Sequence, residues 1–124
     1  MEQNNLISFA NVKASLFDPE VLTLLAPSVY NPTPERLKHR AEEYAADSNV
    51  KAYACNNSEK YIGIVVFVTE NGTTEILDIA VKPEYRKHGI GKSLIDFIFT
   101  QFPIDTITAE TDDEAVEFYK RCGF

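Results

Sequence analysis

At 124 residues, 44% hydrophobic and 25% charged, the chain is one globular domain of ordinary size, 1–124, too short for two cores. A net charge of -7 argues against nucleic acid as a general partner, because phosphate neutralisation needs an excess of Lys and Arg; an acidic surface suits a cationic one. "MEQNNLISFA" lacks the basic start and apolar stretch of a signal peptide, and the apolar run at 61 to 68 is too short to cross a bilayer, so no membrane association is expected and a cytoplasmic protein is.

Residues 6 to 12, "LISFANV", read as a first strand, and "DPEVLTLLA" as a short helix with Asp18 as cap and Pro19 in the first turn. "NPTPERLKHRAEEYAAD" predicts a second helix, capped by Thr33, with Leu37, Ala41, Tyr44 and Ala45 on one face. "VKAYAC" is a strand ending at the polar turn "NNS". "KYIGIVVFV" is apolar almost throughout, which predicts a central strand covered on both sides. The "NG" at 71 and 72 is a hairpin signal joining it to "TTEILDIAV", and that strand must stop near Val81 or Lys82 because Pro83 cannot donate to a ladder.

A helix follows with Ile90, Leu94, Ile95, Ile98 and Phe102 on one side, ended by Pro103. "IDTITA" is a short strand. "TDDEAVEFYKRC" is a last helix, with Thr111 and Glu114 in a capping-box pattern and Gly123 suited to its C-terminal end. The order predicts an α+β domain: a mixed, mostly antiparallel sheet flanked by helices, with a strand-helix-strand-helix C-terminal half. Cys55 and Cys122 make no CxxC pair and have no histidine at ligand spacing, so they read as reduced thiols, and no metal is expected.

"RKHGIGKS", residues 86 to 93, is the stretch with chemistry in it. It is not a nucleotide-triphosphate loop: Gly91, Lys92 and Ser93 supply the end of that motif, but its opening glycine is replaced by Arg86. Read as R-x-x-G-x-G at a helix mouth, it offers glycines that let the main chain approach a ligand, unpaired first-turn N–H groups and the positive end of a helix dipole. A pyrophosphate can be held there mainly by backbone. The bland alternative is a strand-to-helix turn with exposed basic residues.

The surroundings decide between them. "EILDIAVKPEYRKHGIGKSLIDFI" resembles the acetyl-CoA-binding core of the GNAT superfamily of N-acyltransferases, an apolar strand, V-x-P-x-[YWF]-[RQ]-x-x-G-x-[GA], then an amphipathic helix. "DDEAVEFYKRCGF" resembles the superfamily's A-x-x-F-Y-x-x-x-G-F segment. Residues 73 to 124 carry both motifs, and the upstream part agrees in order of elements.

The resemblance implies acetyl-CoA as co-substrate and an amine-bearing small molecule or peptide as acceptor. It implies that backbone N–H groups from Lys87 through His88, Gly89 and Ile90 to Gly91 bind the CoA pyrophosphate, with Arg86 opening the motif and Lys92 adding charge. The strand backbone at Ile79, Ala80 and Val81 would pair with the pantetheine arm. Tyr119 matches the tyrosine that serves as general acid on the departing thiolate. Glu75, eleven positions before Arg86, stands where the histone acetyltransferases of the superfamily keep their base; Glu110 is a rival, and strand alternation sends Asp78 to the face opposite Glu75.

Two positions depart from the family pattern. Asp112 stands in place of a frequent asparagine that caps the last helix near the pantetheine; aspartate still caps. In the family, "GF" leads into a further strand, so either the sheet continues past Phe124 or a partner chain, for instance in a homodimer, covers its edge. No cysteine or serine is placed as an activated nucleophile, so direct attack by the amine is expected. The alternative is a non-catalytic acyl-CoA-binding or regulatory module of the same fold, and a third is an interaction domain in which the loop merely packs.

Overall fold

The computed structural model describes residues 7–28, 31–70, 73–86, 88–102 and 106–109. Its strands are β1 (Ser8–Asn11), β2 (Val50–Asn56), β3 (Tyr61–Glu70), β4 (Thr73–Val81) and β5 (Thr106–Ala109); its helices are α1 (Pro19–Leu25), α2 (Pro34–Ala46) and α3 (Ile90–Gln101). Short 3-10 turns lie at Lys13–Ser15, Ala26–Ser28 and Pro83–Tyr85. The strands form one sheet in the order β1-β2-β3-β4-β5. The first three pairings are antiparallel and β4–β5 is parallel, joined through α3. The expected mixed, mostly antiparallel α+β architecture is the one observed.

Local chemistry explains the helix starts. The Asp18 side chain accepts a hydrogen bond from the Glu20 N–H at 2.9 Å, and Thr33 Oγ1 from the Arg36 N–H at 3.2 Å. Each cap precedes a proline, whose missing donor costs nothing in a first turn. On α2, Ala41 and Tyr44 are buried and Leu37 half-buried, but Ala45 is exposed: the stripe is narrower than periodicity predicts, and Arg40 rather than Ala45 completes it.

β3 is central, as its composition requires. From Ile62 to Phe67 every residue is buried, with α1 and α2 over one face and α3 over the other. Val21, Leu24, Leu25, Ala41, Ile64 and Val66 meet on the first face; Val65, Phe67, Leu94, Ile95 and Ile98 meet on the second. Each fully buried Leu or Ile in these layers contributes roughly 1.5–3 kcal/mol. Glu70 pairs with Thr73, so two residues connect β3 to β4, the length expected of the "NG" hairpin; residues 71 and 72 themselves lie outside the described residues. Gly63 lets α3 sit close, since a Cβ there would stand 3.1 Å from the Ala80 carbonyl oxygen and 3.3 Å from both Ile90 Cγ2 and Leu94 Cδ1.

The β3–β4 ladder carries one irregularity. Val66 pairs with Asp78 but Phe67 pairs with Ile76, so Leu77 is an extra residue in β4, a β-bulge. None of the helices among the described residues is long and apolar enough to cross a membrane.

Candidate functional site

β4 ends where Pro83 interrupts the ladder; the Lys82 N–H makes its last bond to the Ile62 carbonyl, at 2.9 Å. The chain then turns through Pro83–Tyr85, with Tyr85 N–H donating to the Lys82 carbonyl at 2.9 Å and Arg86 N–H to that of Pro83 at 3.3 Å. Arg86 is extended, and its Nε donates to the Val81 carbonyl at 3.1 Å, which ties the loop back to the strand end. The Tyr85 ring is held by Asn57 Nδ2, which donates to its hydroxyl at 3.2 Å, and by Lys60 Nζ, 5.7 Å from the ring centroid.

Gly89 is the N-cap of α3 and adopts φ 79°, ψ 11°, a left-handed conformation that disfavours any residue with a Cβ. It makes no side-chain cap, so the first-turn N–H groups of α3 receive none from their N-cap residue. A Cβ built on Gly89 would find none of the described residues within 4 Å, so the mouth is open as far as they reach. The helix propagates from there, with Ser93 N–H and Oγ both donating to the Gly89 carbonyl at 3.0 Å.

The residues expected here fall as follows. Arg86, His88, Gly89 and Lys92 are exposed around the mouth, and Ile90 and Gly91 are buried against the sheet. Lys92 pairs with Asp96 one turn on, at 3.0 Å. Ala80 and Val81 are buried at the end of β4, and Ile79 is half-buried against the α3 side. The register of β5 on β4 covers Thr73 to Ile76, upstream of these three. Lys87, Glu110, Asp112 and Tyr119 lie outside the described residues.

Glu75 is half-buried, flanked by Val68 on β3 and Thr108 on β5. The expectation that Asp78 faces away from it is wrong. Val68, opposite Glu75, packs on the α1–α2 side, and so does Val66, opposite Asp78. The extra residue, Leu77, cancels one step of the alternation, so Glu75 and Asp78 share a face.

On that face stands a cluster the sequence reading missed. Asp78 is 6% exposed. Arg40 Nη1 donates to its Oδ2 at 2.8 Å, the Tyr44 hydroxyl donates to the same oxygen, and Arg40 Nη1 lies 3.4 Å from that hydroxyl. Burial, and then the negative charge of Asp78, push the Tyr44 phenol well above its ordinary range, so it stays a donor. Burial opposes the charge on Arg40, but the adjacent carboxylate outweighs it and raises the guanidinium. A polar residue inside "ILDIAV" and an Arg–Tyr pair four apart were the available signals. Cys55 is buried, and burial raises its thiol to about 11, which leaves it without nucleophile chemistry near neutral pH.

Comparison with known proteins agrees with this geometry. The model of the acetyltransferase (GNAT) family matches residues 19–124. A histone acetyltransferase TAP1 of Glycine max is 33% identical over 73 residues, 56% of this chain and 32% of that protein. This chain thus spans about a third of the length of such curated relatives. Among solved structures, an aminoglycoside acetyltransferase, meta-AAC0020, from an uncultured soil metagenomic sample superposes with a TM-score of 0.73 at 18% identity, over 99% of this chain and 91% of its own. Aminoglycoside acetyltransferase AAC(6')-Iy, bound to the bisubstrate analogue CoA-S-monomethyl-acetylneamine, gives 0.72 at 16% identity, over 95% and 90%. At these identities the superpositions establish a shared fold.

Proposed function

We propose that this chain, which belongs to the acetyltransferase (GNAT) family, transfers the acetyl group of acetyl-CoA to a primary amine of a small molecule or peptide by direct attack. The observation that carries the reading is the start of α3, where a first turn without a side-chain cap follows a left-handed Gly89 at the end of β4, with none of the described residues within 4 Å of where a Cβ would stand. Such a mouth fits a diphosphate, because unpaired N–H groups and the helix dipole stabilise an anion without a Cβ in the way. The CoA analogue held by the structural relative AAC(6')-Iy supports the same ligand class.

Bound acetyl-CoA supplies an activated acyl carbon. Backbone N–H groups of residues 87 to 91 hold its pyrophosphate, and Arg86, tethered to Val81 through Nε, and Lys92 add positive charge at the rim. The main chain of Ile79, Ala80 and Val81, just ahead of the loop, lines up the pantetheine arm. Glu75 takes the proton from the acceptor ammonium, directly or through water, so that the free amine nitrogen forms its bond to the acyl carbon. The carbon–sulfur bond then breaks, the Tyr119 hydroxyl gives a proton to the leaving thiolate, and the second proton shed by the nitrogen as it becomes an amide passes through water to restore the phenol.

Calorimetric titration with CoA, followed by thiol release across a panel of amines, tests this. Binding with release for at least one amine is expected. Binding without release for any amine would make the chain an acyl-CoA-binding module, and no binding would remove both readings. Within an active protein, Tyr119→Phe is expected to lower turnover roughly 10²-fold with CoA affinity little changed, because the ring stays and the proton donor goes. Glu75→Gln is expected to depress turnover most at low pH. The acceptor amine has a reference pKa of about 10, so rising pH supplies free amine and relieves the need for a base. A wild-type profile in Glu75→Gln assigns the base to Glu110 or to water.

A further inference from the structure

Beyond Phe67 and Ile76, β3 and β4 have two ways to continue. With no extra residue, Leu77 would stand opposite Val66 and Asp78 opposite Val65, whose side chain lies in the apolar layer beneath α3 with Phe67, Leu94, Ile95 and Ile98. A carboxylate there would be desolvated among hydrocarbon. With Leu77 bulged, Asp78 stands opposite Val66 on the other face, where Arg40 and Tyr44 of α2 hydrogen-bond to it. The bulge also lets Ile79 and Val81 face α3 while Glu75 faces the α1–α2 side. If it annealed, one half of β4 would have to exchange faces, because a one-residue slip inverts every side chain beyond it.

We propose that the Arg40–Tyr44–Asp78 cluster locks this bulge, making Asp78 a register-setting residue and Arg40 and Tyr44 positioning residues for Glu75. α2 thereby reaches a site it supplies no catalytic group to. Hydrogen bonds to a charged group typically bias an equilibrium about ten- to a hundredfold, enough for one register to dominate. The lock itself is independent of any activity; its consequence for Glu75 rests on the acetyl-transfer reading above.

Amide hydrogen exchange followed by NMR on the full chain tests the lock in Arg40→Met and Asp78→Asn. Protection of the Ile76 to Ile79 amides is expected to fall roughly tenfold or more, while Leu94, Ile95 and Ile98 in α3 keep theirs. The cross-strand backbone contact of Val66 with Asp78 should weaken, and Arg40→Lys should restore much of both. Should Arg40→Met not fold, Tyr44→Phe, which removes one hydroxyl, is read in the same way. Unchanged protection, or an equal loss in β4 and α3, overturns the lock. In an active protein the same variants should lower kcat while the Kd for CoA stays at its wild-type value; wild-type kcat in a variant whose bulge has opened overturns the positioning role. A wild-type protein that transfers no acetyl group would instead defeat the proposed function, and the exchange result would still decide the lock.

Discussion

Asp18 and Thr33 each set a side-chain oxygen over the first turn of a helix, each with a proline behind it, whereas Gly89 opens α3 left-handed and with no side chain to offer. The difference separates two uses of the same backbone feature. Every α-helix begins with N–H groups that its own ladder cannot satisfy. At α1 and α2 the chain satisfies part of that need internally, for about 1 kcal/mol of stability at each cap. At α3 it does not, and the helix is held instead by Ile90, Leu94, Ile95 and Ile98 beneath β3 and β4. Burial on one side anchors α3, so the helix stands without a side-chain cap from Gly89.

The sharpest way to break this contrast is at Gly89. Gly89→Val is expected to weaken CoA binding roughly tenfold or more, the size of losing main-chain hydrogen bonds to a charged ligand. It should also cost about 1–2 kcal/mol of stability from the left-handed backbone alone. A Cβ at Gly89 meets none of the described residues within 4 Å, so the strain expected is that of the backbone and not of a clash. Gly89→Asn separates the two effects, since asparagine tolerates that conformation but still carries a Cβ. Full CoA affinity in Gly89→Asn would mean that only the turn, and not close approach of a ligand, requires glycine. Titration calorimetry beside chemical denaturation reads both.

The caps supply the complementary test. Asp18→Ala and Thr33→Ala should each lower stability by about 1 kcal/mol in denaturant unfolding and leave CoA affinity where it was. A cap variant that lost CoA affinity would erase the distinction between the two kinds of helix start. The smallest effect is expected at Lys92, an exposed residue already paired with Asp96. Lys92→Ala should weaken CoA binding only about two- to fourfold, as for one screened surface charge, and raising the salt concentration should shrink the difference further. A loss equal to that of Gly89→Val would move the recognition from main chain to side chain.

Much of the fold and the outline of the site were legible in the residues, because the signals act over a few positions. Asp18-Pro19 and Thr33-Pro34 start helices by local hydrogen bonding, Pro83 ends β4 by lacking a donor, and Gly89 permits a backbone angle that other residues resist. The apolar run through "YIGIVVFV" required cover on both faces whatever the topology. Alternation failed where it was applied across Leu77. A bulge is a property of two strands in register and has no signature in either strand alone, so the face shared by Glu75 and Asp78 emerged only when β3 was laid against β4. The partners of Asp78 lie 34 and 38 residues away on α2, and only packing brings Tyr44 and Arg40 to it. The sequence by itself determined where most of the described elements begin and end and that a glycine opens α3, because those are short-range questions of capping, turn geometry and apolar period. The tertiary structure decided which way the carboxylates of β4 point and what holds them, because register and burial of charge are settled by contacts between segments far apart in the chain.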